Sequence, residues 1–481
     1  MEVTTRAGSS PPTHLSTPQI IRISALWFGL QFFWTSQQLV VMPERVEHFV
    51  GEMYKGSYLG LIKSAGALVV LLTQLTIGYI SDHAESRMGR RRPFILYGMI
   101  SGLGAIVFYM LAPSYWWLFA AYMLIEATVN AASVPFQSLL PDLVPEKQHA
   151  QAGAQMGLNH LGGNLVGLLV VLAMQFLFKD GTVALLGDVK PLGYIYVLLP
   201  AYILMLVVTT LVVVYGVDEL RWRQHPDAAP LGPNCRTLRF LPGVLLRYAP
   251  LASTLFGTIA KTYFSLDLKN HPNFSWLAIS RFAVNLGYHT FLTFVAYYTA
   301  ANLDRAAFLS SLGLAGKVPE SIALPLMLLT FIIGGLIGNL ISAPLSRRIG
   351  KKGVISAGLV WSGLLFIPLI FAQQVWTAVI IGMALGIGWG AFIAADWAFA
   401  CTLMPKQRAG TFMGVWDVTT LLPQVIAPII AGPLRDAITQ ANSAQLGLLP
   451  AEALAYQWVF ALVVVYFSAG LLLLRPLQES R

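Results

Sequence analysis

Charge is scarce in this chain: Asp, Glu, Lys and Arg make up 11% of its 481 residues, against about 25% in soluble domains. Together with 56% hydrophobic residues and a mean hydropathy of +0.66, that scarcity excludes a string of soluble domains. Cysteine is scarcer still. Cys235 in a polar stretch and Cys401 at the end of an apolar one are too few and too far apart for a disulfide framework, and both are expected reduced and non-catalytic. The chain also lacks a phosphate-binding Gly-Lys-Ser/Thr loop and a metal-spaced His/Cys set, so it is expected to be no enzyme, to use no cofactor and no metal, and to draw energy from an ion gradient. The first twenty residues, Met1 to Ile20, are polar and contain no apolar run ending in a small-residue cleavage site. No removable signal peptide is expected.

What the chain has instead is long apolar runs. Crossing a bilayer takes roughly 20 such residues, and runs of that kind lie near 22–42, 58–80, 93–112, 116–140, 155–178 and 194–216. Six more follow near 277–300, 321–344, 353–371, 375–400, 411–434 and 456–474. The expected fold is an all-α membrane protein of twelve transmembrane helices, arranged as two six-helix pseudo-symmetric bundles, 1–216 and 277–481. Between them lies a polar stretch, 217–276, with Arg221, Arg223, Arg236, Arg239, Arg247, Lys261 and Lys269.

The net charge of +9 would suit a nucleic-acid surface if it were clustered on a soluble domain, but here it sits in loops. With the N-terminus inside, the inner loops hold Arg87, Arg90, Arg91, Arg92, Lys147, the seven linker cations, Arg347, Arg348, Lys351, Lys352, Lys406 and Arg408. The outer loops hold only Arg45, Lys55, Lys179, Lys190, Arg305, Lys317 and Arg435. By the positive-inside rule both termini and the linker are cytoplasmic, in a multi-pass protein of the plasma or inner membrane, with the lipid bilayer and not nucleic acid as partner.

The two halves repeat one another. Gly89-Arg90-Arg91 after the second run recurs as Gly350-Lys351-Lys352 after the eighth, and Ala152-Gly153 with Met156-Gly157 recurs as Ala409-Gly410 with Met413-Gly414. Parallel repeats of six helices are a transporter pattern. The first repeated loop carries Gly78, Ser81, Asp82, Gly89, Arg90, Arg91, Arg92 and Pro93: a small residue for close helix approach, an acid that can accept from a helix N-terminus, a tight turn, and cations for the inner headgroups. Taken singly, the arginines read equally as a positive-inside anchor. The second copy, from Pro344 to Lys352, has no acid, so a gate in that half is expected to be weaker.

The whole loop pattern resembles the signature of the major facilitator superfamily. Within it, three stretches are similar to sucrose/proton symporters of plants and their bacterial and animal relatives, which are similar in turn to glycoside/cation symporters. Gln31-Phe32-Phe33-Trp34 with Gln37 and Pro43 resembles that family's Gln-Phe-Gly-Trp-x-x-Gln and later Pro. Gln74, Gly78, Tyr79, Ser81 and Asp82 lead into Arg90 to Phe94. Glu126 and Asn130, through Pro135 to Leu139-Leu140-Pro141-Asp142-Leu143, resemble the family's fourth span. The resemblance implies that Glu126 occupies the position of a carboxylic acid taken to bind the transported proton. Where the family has Arg in this span the chain has Gln137, which can hydrogen-bond but cannot form a charged fork.

Read from the residues alone, an ionisable group inside a span is a functional candidate with a partner to be found. Glu126 lies about ten residues into the fourth run, about 15 Å from its outer end. It reads either as an acid alternating between protonated and charged forms or as the permanent partner of a buried cation. Lys63 is the cation that could fill that second role, unless it snorkels to the outer headgroups. Asp396, close to the inner end of the tenth run, suits an inner gate with Asp82, Arg90, Arg91 and Asp142. Helical spacing gathers Gln31, Trp34 and Gln38 on one face of the first run, and Asn285, Tyr288 and His289 on one face of the seventh. Asn159, His160 and Asn164 mark the fifth run, and Asp417, Thr420 and Gln424 the eleventh. With Asn130 and Gln137 these amides, rings and hydroxyls suit a polyhydroxylated ligand, although interhelical hydrogen bonding explains any one of them as well. Trp116 and Trp117 read as interface anchors.

The leading expectation is a secondary transporter moving a small solute, a sugar or glucoside such as sucrose or maltose, with protons. A carrier of an anionic or amphipathic metabolite that Lys63 contacts is the alternative, and a non-transporting receptor a third. The topology has a direct check: in intact cells, a single cysteine placed at Asn234 in the linker should resist an impermeant thiol reagent added outside, and labelling there would invert the assignment.

Overall fold

The computed structural model of the protein describes residues 14–83, 88–89, 91–145, 148–177, 183–185, 188–190, 194–219, 271–315, 320–403 and 409–478. Most of the polar stretch expected at 217–276 lies outside these residues.

The described chain is helical. Its first element, α1 (Thr17–Ser36), runs through a π-helical turn (Gln37–Val41) into α2 (Met42–Val50). Then come α3 (Lys55–His83), α4 (Arg92–Met110), α5 (Tyr115–Leu143), α6 (His149–Leu177) and α7 (Tyr194–Gly216). After the linker follow α8 (Pro272–Asn302), a short α9 (Arg305–Ser311), α10 (Ala323–Ile370), α11 (Val375–Leu403), α12 (Ala409–Leu446) and α13 (Leu448–Leu473). Gly350, at φ 79 and ψ 164, divides α10 into two helices. A two-stranded hairpin, Val183–Leu185 with Asp188–Lys190, sits between α6 and α7.

With α1 and α2 as one bent helix and α10 as two, the long helices number six before the linker and six after it. Among the described residues nine helices, α10 counted once, are long and apolar enough to cross a membrane. Two long helices fall short of that standard, α1 and α8. Both carry polar residues within the apolar run, Gln19, Arg22 and Gln31 in α1 and Arg281, Asn285 and His289 in α8.

The contacts divide the chain into two compact units. One comprises 1–34, 69–167 and 199–255; the other 35–68, 168–198 and 256–481. In the first, α6 lies directly on α1: a Cβ at Gly163 would strike the Phe28 carbonyl, and one at Gly167 the Phe32 carbonyl. Small residues at such crossings let backbones approach without the hydrophobic driving force that lipid cannot supply. In the second unit the same device joins α10 and α11, where Gly338 meets the Ile387 carbonyl and Gly386 the Phe331 carbonyl. There α8 and α13 are tied by the Ser280 hydroxyl donating to the Gly470 carbonyl at 2.7 Å.

The repeated loops have matching geometry. Gly89 and Gly350 both take positive φ, 107 and 79, a conformation that L side chains resist. In the first loop Arg91 Nε then donates to Asp142 Oδ2 at the end of α5, 3.0 Å away. In the second, Lys351 Nζ donates to the Ala398 carbonyl at 3.2 Å and to Thr402 Oγ1 at 2.6 Å, at the end of α11. A cation at the C-terminal end of a helix needs no acid to be favourable, because the carbonyls there carry partial negative charge. That accounts for a second copy built without one.

Candidate functional site

Glu126 is 4% exposed, and the residues one turn either side of it hold its carboxylate. Asn130 Nδ2 donates to Glu126 Oε2 at 2.9 Å and to its backbone carbonyl at 2.8 Å, while the Tyr122 hydroxyl bonds it from the other side. Spacing of i, i+4 in one helix makes this cradle local. Both partners are neutral donors on the same helix, and they fix the orientation of the carboxylate.

Elsewhere in the first unit, Gln31 and Trp34 are half-buried on α1, with Trp34 against Phe33 at 5.0 Å between ring centroids. His160 packs on Trp27 at 5.3 Å. Asn159 donates to Ser24 Oγ at 2.8 Å, a bond that ties α6 to α1. Gln137 is exposed and bonds Ser133 Oγ at 3.1 Å.

In the second unit, the face expected on α8 exists and is crowded. Asn285 is 4% exposed and donates to the Thr419 carbonyl of α12 at 2.8 Å. Tyr288 stacks on Trp389 of α11, 3.9 Å between centroids at 13°. His289 is half-buried, and its Nε2 is buried with no hydrogen-bond partner. Lys63 and Arg281 are the cations whose fields reach it. Within its own unit Lys63 has no acid partner among the described residues. Asp417 is exposed.

Asp396, expected near a gate, is fully buried and forms an ion pair with Arg281 of α8. The guanidinium also donates to Thr420 Oγ1 at 3.2 Å and lies 4.3 Å over the Trp416 ring, so one side chain joins α8, α11 and α12. Arg281 is absent from the set that the sequence pattern picks out. Its signal was nevertheless there: a cation inside the seventh apolar run, one turn before Asn285, requires a partner.

A second residue that pattern misses is Glu219, beyond α7. It accepts from the backbone N–H of Arg91 at 2.9 Å and of Arg92 at 3.2 Å, so an acid caps the N-terminal end of α4 as helix polarity favours. Ser81 Oγ takes a further bond from Arg91 at 2.7 Å. Arg90 and the side chain of Asp82, expected in the same gate, lie outside the described residues. No group of three or more His, Cys, Asp or Glu side chains that could hold a metal occurs among the described residues.

Comparison with known proteins gives this geometry a family. Residues 54–239 match the model of the MFS/sugar transport protein family, and residues 318–481 that of the Major Facilitator Superfamily. Sucrose transport protein SUT5 of Oryza sativa subsp. indica is 20% identical over 499 aligned residues, which cover 92% of this chain and 88% of the relative. Sucrose transport protein SUC4 of Arabidopsis thaliana is 24% identical, over 33% of this chain and 34% of the relative. An uncharacterized protein of the puhA-bchM intergenic region of Rhodobacter capsulatus is 26% identical, over 30% and 31%. The chain thus spans about a third of the length of these last two relatives.

Among solved structures, a bacterial homolog of the human lysosomal transporter Spinster superposes with a TM-score of 0.69 at 16% identity, over 96% of this chain and 97% of that one. The nucleoside transporter NupG (D323A mutant) gives 0.66 at 12%, over 96% and 100%. Helix number, repeated turns and these matches define a multi-pass membrane protein of the secondary-transporter class. The chain belongs to the major facilitator superfamily, with that superfamily's two-bundle fold, and it resembles the sucrose/proton symporters.

The Arg281–Asp396 pair makes a quantitative prediction. Asp396→Asn leaves the guanidinium charge buried, a loss of about 3–5 kcal/mol, and should show as poor recovery of monodisperse protein and a lowered melting temperature. Replacing both residues, Arg281→Met with Asp396→Leu, should restore most of the folded yield. A single variant as stable as the parent would show that the pair is hydrated rather than buried.

Proposed function

We propose that this protein is a proton-coupled symporter that moves a sugar, of the glucoside class to which sucrose and maltose belong, by alternating access of two six-helix halves, 1–216 and 277–481. The observation that carries the reading is Glu126: a carboxyl buried inside a span and cradled by neutral groups. Such an acid binds a proton when the surroundings are dry and releases it when water reaches it, which is what coupling requires. The sugar assignment draws support from the sugar-transport family model over 54–239 and from the sucrose transport proteins among the relatives. Structural neighbours that carry nucleosides, such as NupG, bear on fold alone.

In this reading both termini and the linker are cytoplasmic. Each half offers sugar-binding groups, Gln31, Trp34 and Asn130 in one and Asn285, Tyr288, His289 and Asp417 in the other, the rings suited to C–H faces and the amides to hydroxyls. Gln137 and His160 flank them. Asn159, which also donates to Ser24, is a further sugar contact in this reading. Asp142 and Arg91 hold the inner loop that must shift when the site changes sides.

The test is transport by purified protein in liposomes, with a panel of radiolabelled sugars and organic acids, with and without an imposed pH gradient. Glu126→Gln mimics the protonated acid and should abolish pH-driven accumulation while sparing exchange of the same sugar. Uphill transport retained by that variant would remove Glu126 as the carrier. Should the variant misfold and the double change Lys63→Met with Glu126→Gln recover folded protein, the two charges are a structural pair instead. Uptake of organic acids alone would favour the anionic-solute reading.

The sugar contacts are tested separately. Trp34→Ala and Asn285→Ala should each weaken binding of the transported sugar about tenfold, corresponding to ~1.4 kcal/mol, in equilibrium binding to folded protein. Unchanged affinity in both would take these residues out of the site.

A further inference from the structure

Three cations set among the helices of the second unit are answered by carboxylates. Arg281 pairs with Asp396, and Lys55 with Glu47 and Glu452 at 2.8 and 3.2 Å. Arg435 pairs with Glu452 and with Asp436 at 3.0 Å, and also donates to the Glu52 carbonyl at 2.7 Å. Lys63 differs from all three. It is half-buried on α3, about 12 Å from the start of that helix, and no carboxylate among the described residues of its unit partners it.

Helical geometry sets the side of α3 on which Lys63 stands. Ser64 donates to the Val425 carbonyl of α12 at 2.6 Å, and a Cβ at Gly60 would strike the Pro428 carbonyl of the same helix, so these two residues mark the seam with α12. At 3.6 residues per turn, the exposed Leu61 and Leu68 lie about 70° to one side of that seam and Lys63 about 80° to the other. Its stem therefore leaves α3 away from the lipid-facing stripe. Its charge is felt at His289 of α8.

His289 adds a second unmet demand, because its Nε2 is buried with no hydrogen-bond partner. A cation without a counter-charge and a ring nitrogen without a partner, brought within one another's field from two helices, call for an anion with two acceptor oxygens. The surroundings suit a sugar. Tyr288 lies beside the imidazole, 5.3 Å between centroids, and stacks on Trp389 to make a flat aromatic pair. Gln424, the residue before Val425 on α12, is half-buried. Rings of this kind cover C–H faces, and an amide binds hydroxyls.

Charge counting selects the anion. One ammonium is a compact single charge with three donors, which a carboxylate matches one for one. A phosphate carries close to two charges at neutral pH and is met best by an Arg fork or by several cations. The guanidinium that shares the field at His289 is Arg281, already taken by Asp396. The cation whose field reaches Asp417, the exposed acid of α12, is Arg281 as well.

We infer that Lys63 and His289 form the carboxylate end of the ligand site, and that the transported solute is an acidic sugar, a uronic acid or uronoside, an assignment that rests on the sugar reading for the rest of the ligand. It narrows the glucoside class to its acidic members. A neutral glucoside leaves the ammonium unanswered and binds more weakly.

Equilibrium binding to the purified full chain at neutral pH provides the test. The probes are methyl β-D-glucopyranosiduronic acid, its carboxamide, methyl β-D-glucopyranoside, and lactate as a carboxylate that is not a sugar. The uronate should bind the parent protein about tenfold or more tightly than the carboxamide, which matches its shape without the charge. Lys63→Met should bring that ratio to about one, Lys63→Arg should keep most of it, and His289→Ala should lower it severalfold. The comparison of uronate with carboxamide needs no variant, so misfolding of Lys63→Met does not remove the test. Equal affinity of the parent for the two overturns the inference, as does a folded Lys63→Met protein that keeps the preference. Failure of the sugar reading looks different. If the carboxamide and the neutral glucoside bind as tightly as the uronate, the acidic assignment falls and the sugar reading stands. If lactate binds as tightly as the uronate, the sugar reading falls, and the acidic sugar with it. Binding of none of the four overturns both.

Discussion

A charge inside hydrocarbon must find a counter-charge, a proton or a route to water, and the arrangement of this protein follows from how each of its few intramembrane charges meets that demand. Arg281 and Asp396 meet it with each other, and in doing so tie α8 to α11 and α12. Glu126 meets it with neutral hydrogen-bond partners on its own helix, Tyr122 and Asn130. The contrast lies in the partners: Arg281 and Asp396 tie separate helices together, whereas Glu126 is held by residues of its own helix.

The same principle governs the loops. Where helix ends meet water, partial charges of the backbone set the terms. Glu219 accepts from the N-terminal N–H groups of α4, and Lys351 serves the C-terminal carbonyls of α11. The two copies of the repeated turn therefore share a glycine at positive φ and a following cation without sharing an acid. Duplication preserved the backbone device and let the side-chain partners diverge.

Helix contact within each unit depends on small residues. Gly163 and Gly167 on α6, and Gly338 and Gly386 at the α10–α11 crossing, bring backbones to van der Waals distance. Short polar side chains such as Asn159 and Ser24 then fall within hydrogen-bond range across helices, because the helix axes are already close. Polar positions that look alike in sequence thereby acquire different fates: Asn159 and Asn285 are engaged by neighbouring helices, while Gln137 and Asp417 remain exposed.

The sequence by itself determined the membrane class, the helix count, the duplicated loops and the placing of Glu126 inside an apolar run. Each of these depends on local apolarity, on spacing along one helix, or on a turn that a glycine must make. Even the cradle of Glu126 was within reach of sequence, since Tyr122 and Asn130 stand one turn away on the same helix. Tertiary structure alone decided the partners of Arg281, Glu219 and Arg435. Residues 115 apart pair in the first case, 128 apart in the second, and 383 apart where Arg435 reaches the Glu52 carbonyl. Helical periodicity carries no information about such distances, because which charge lies opposite which is fixed by how helices pack.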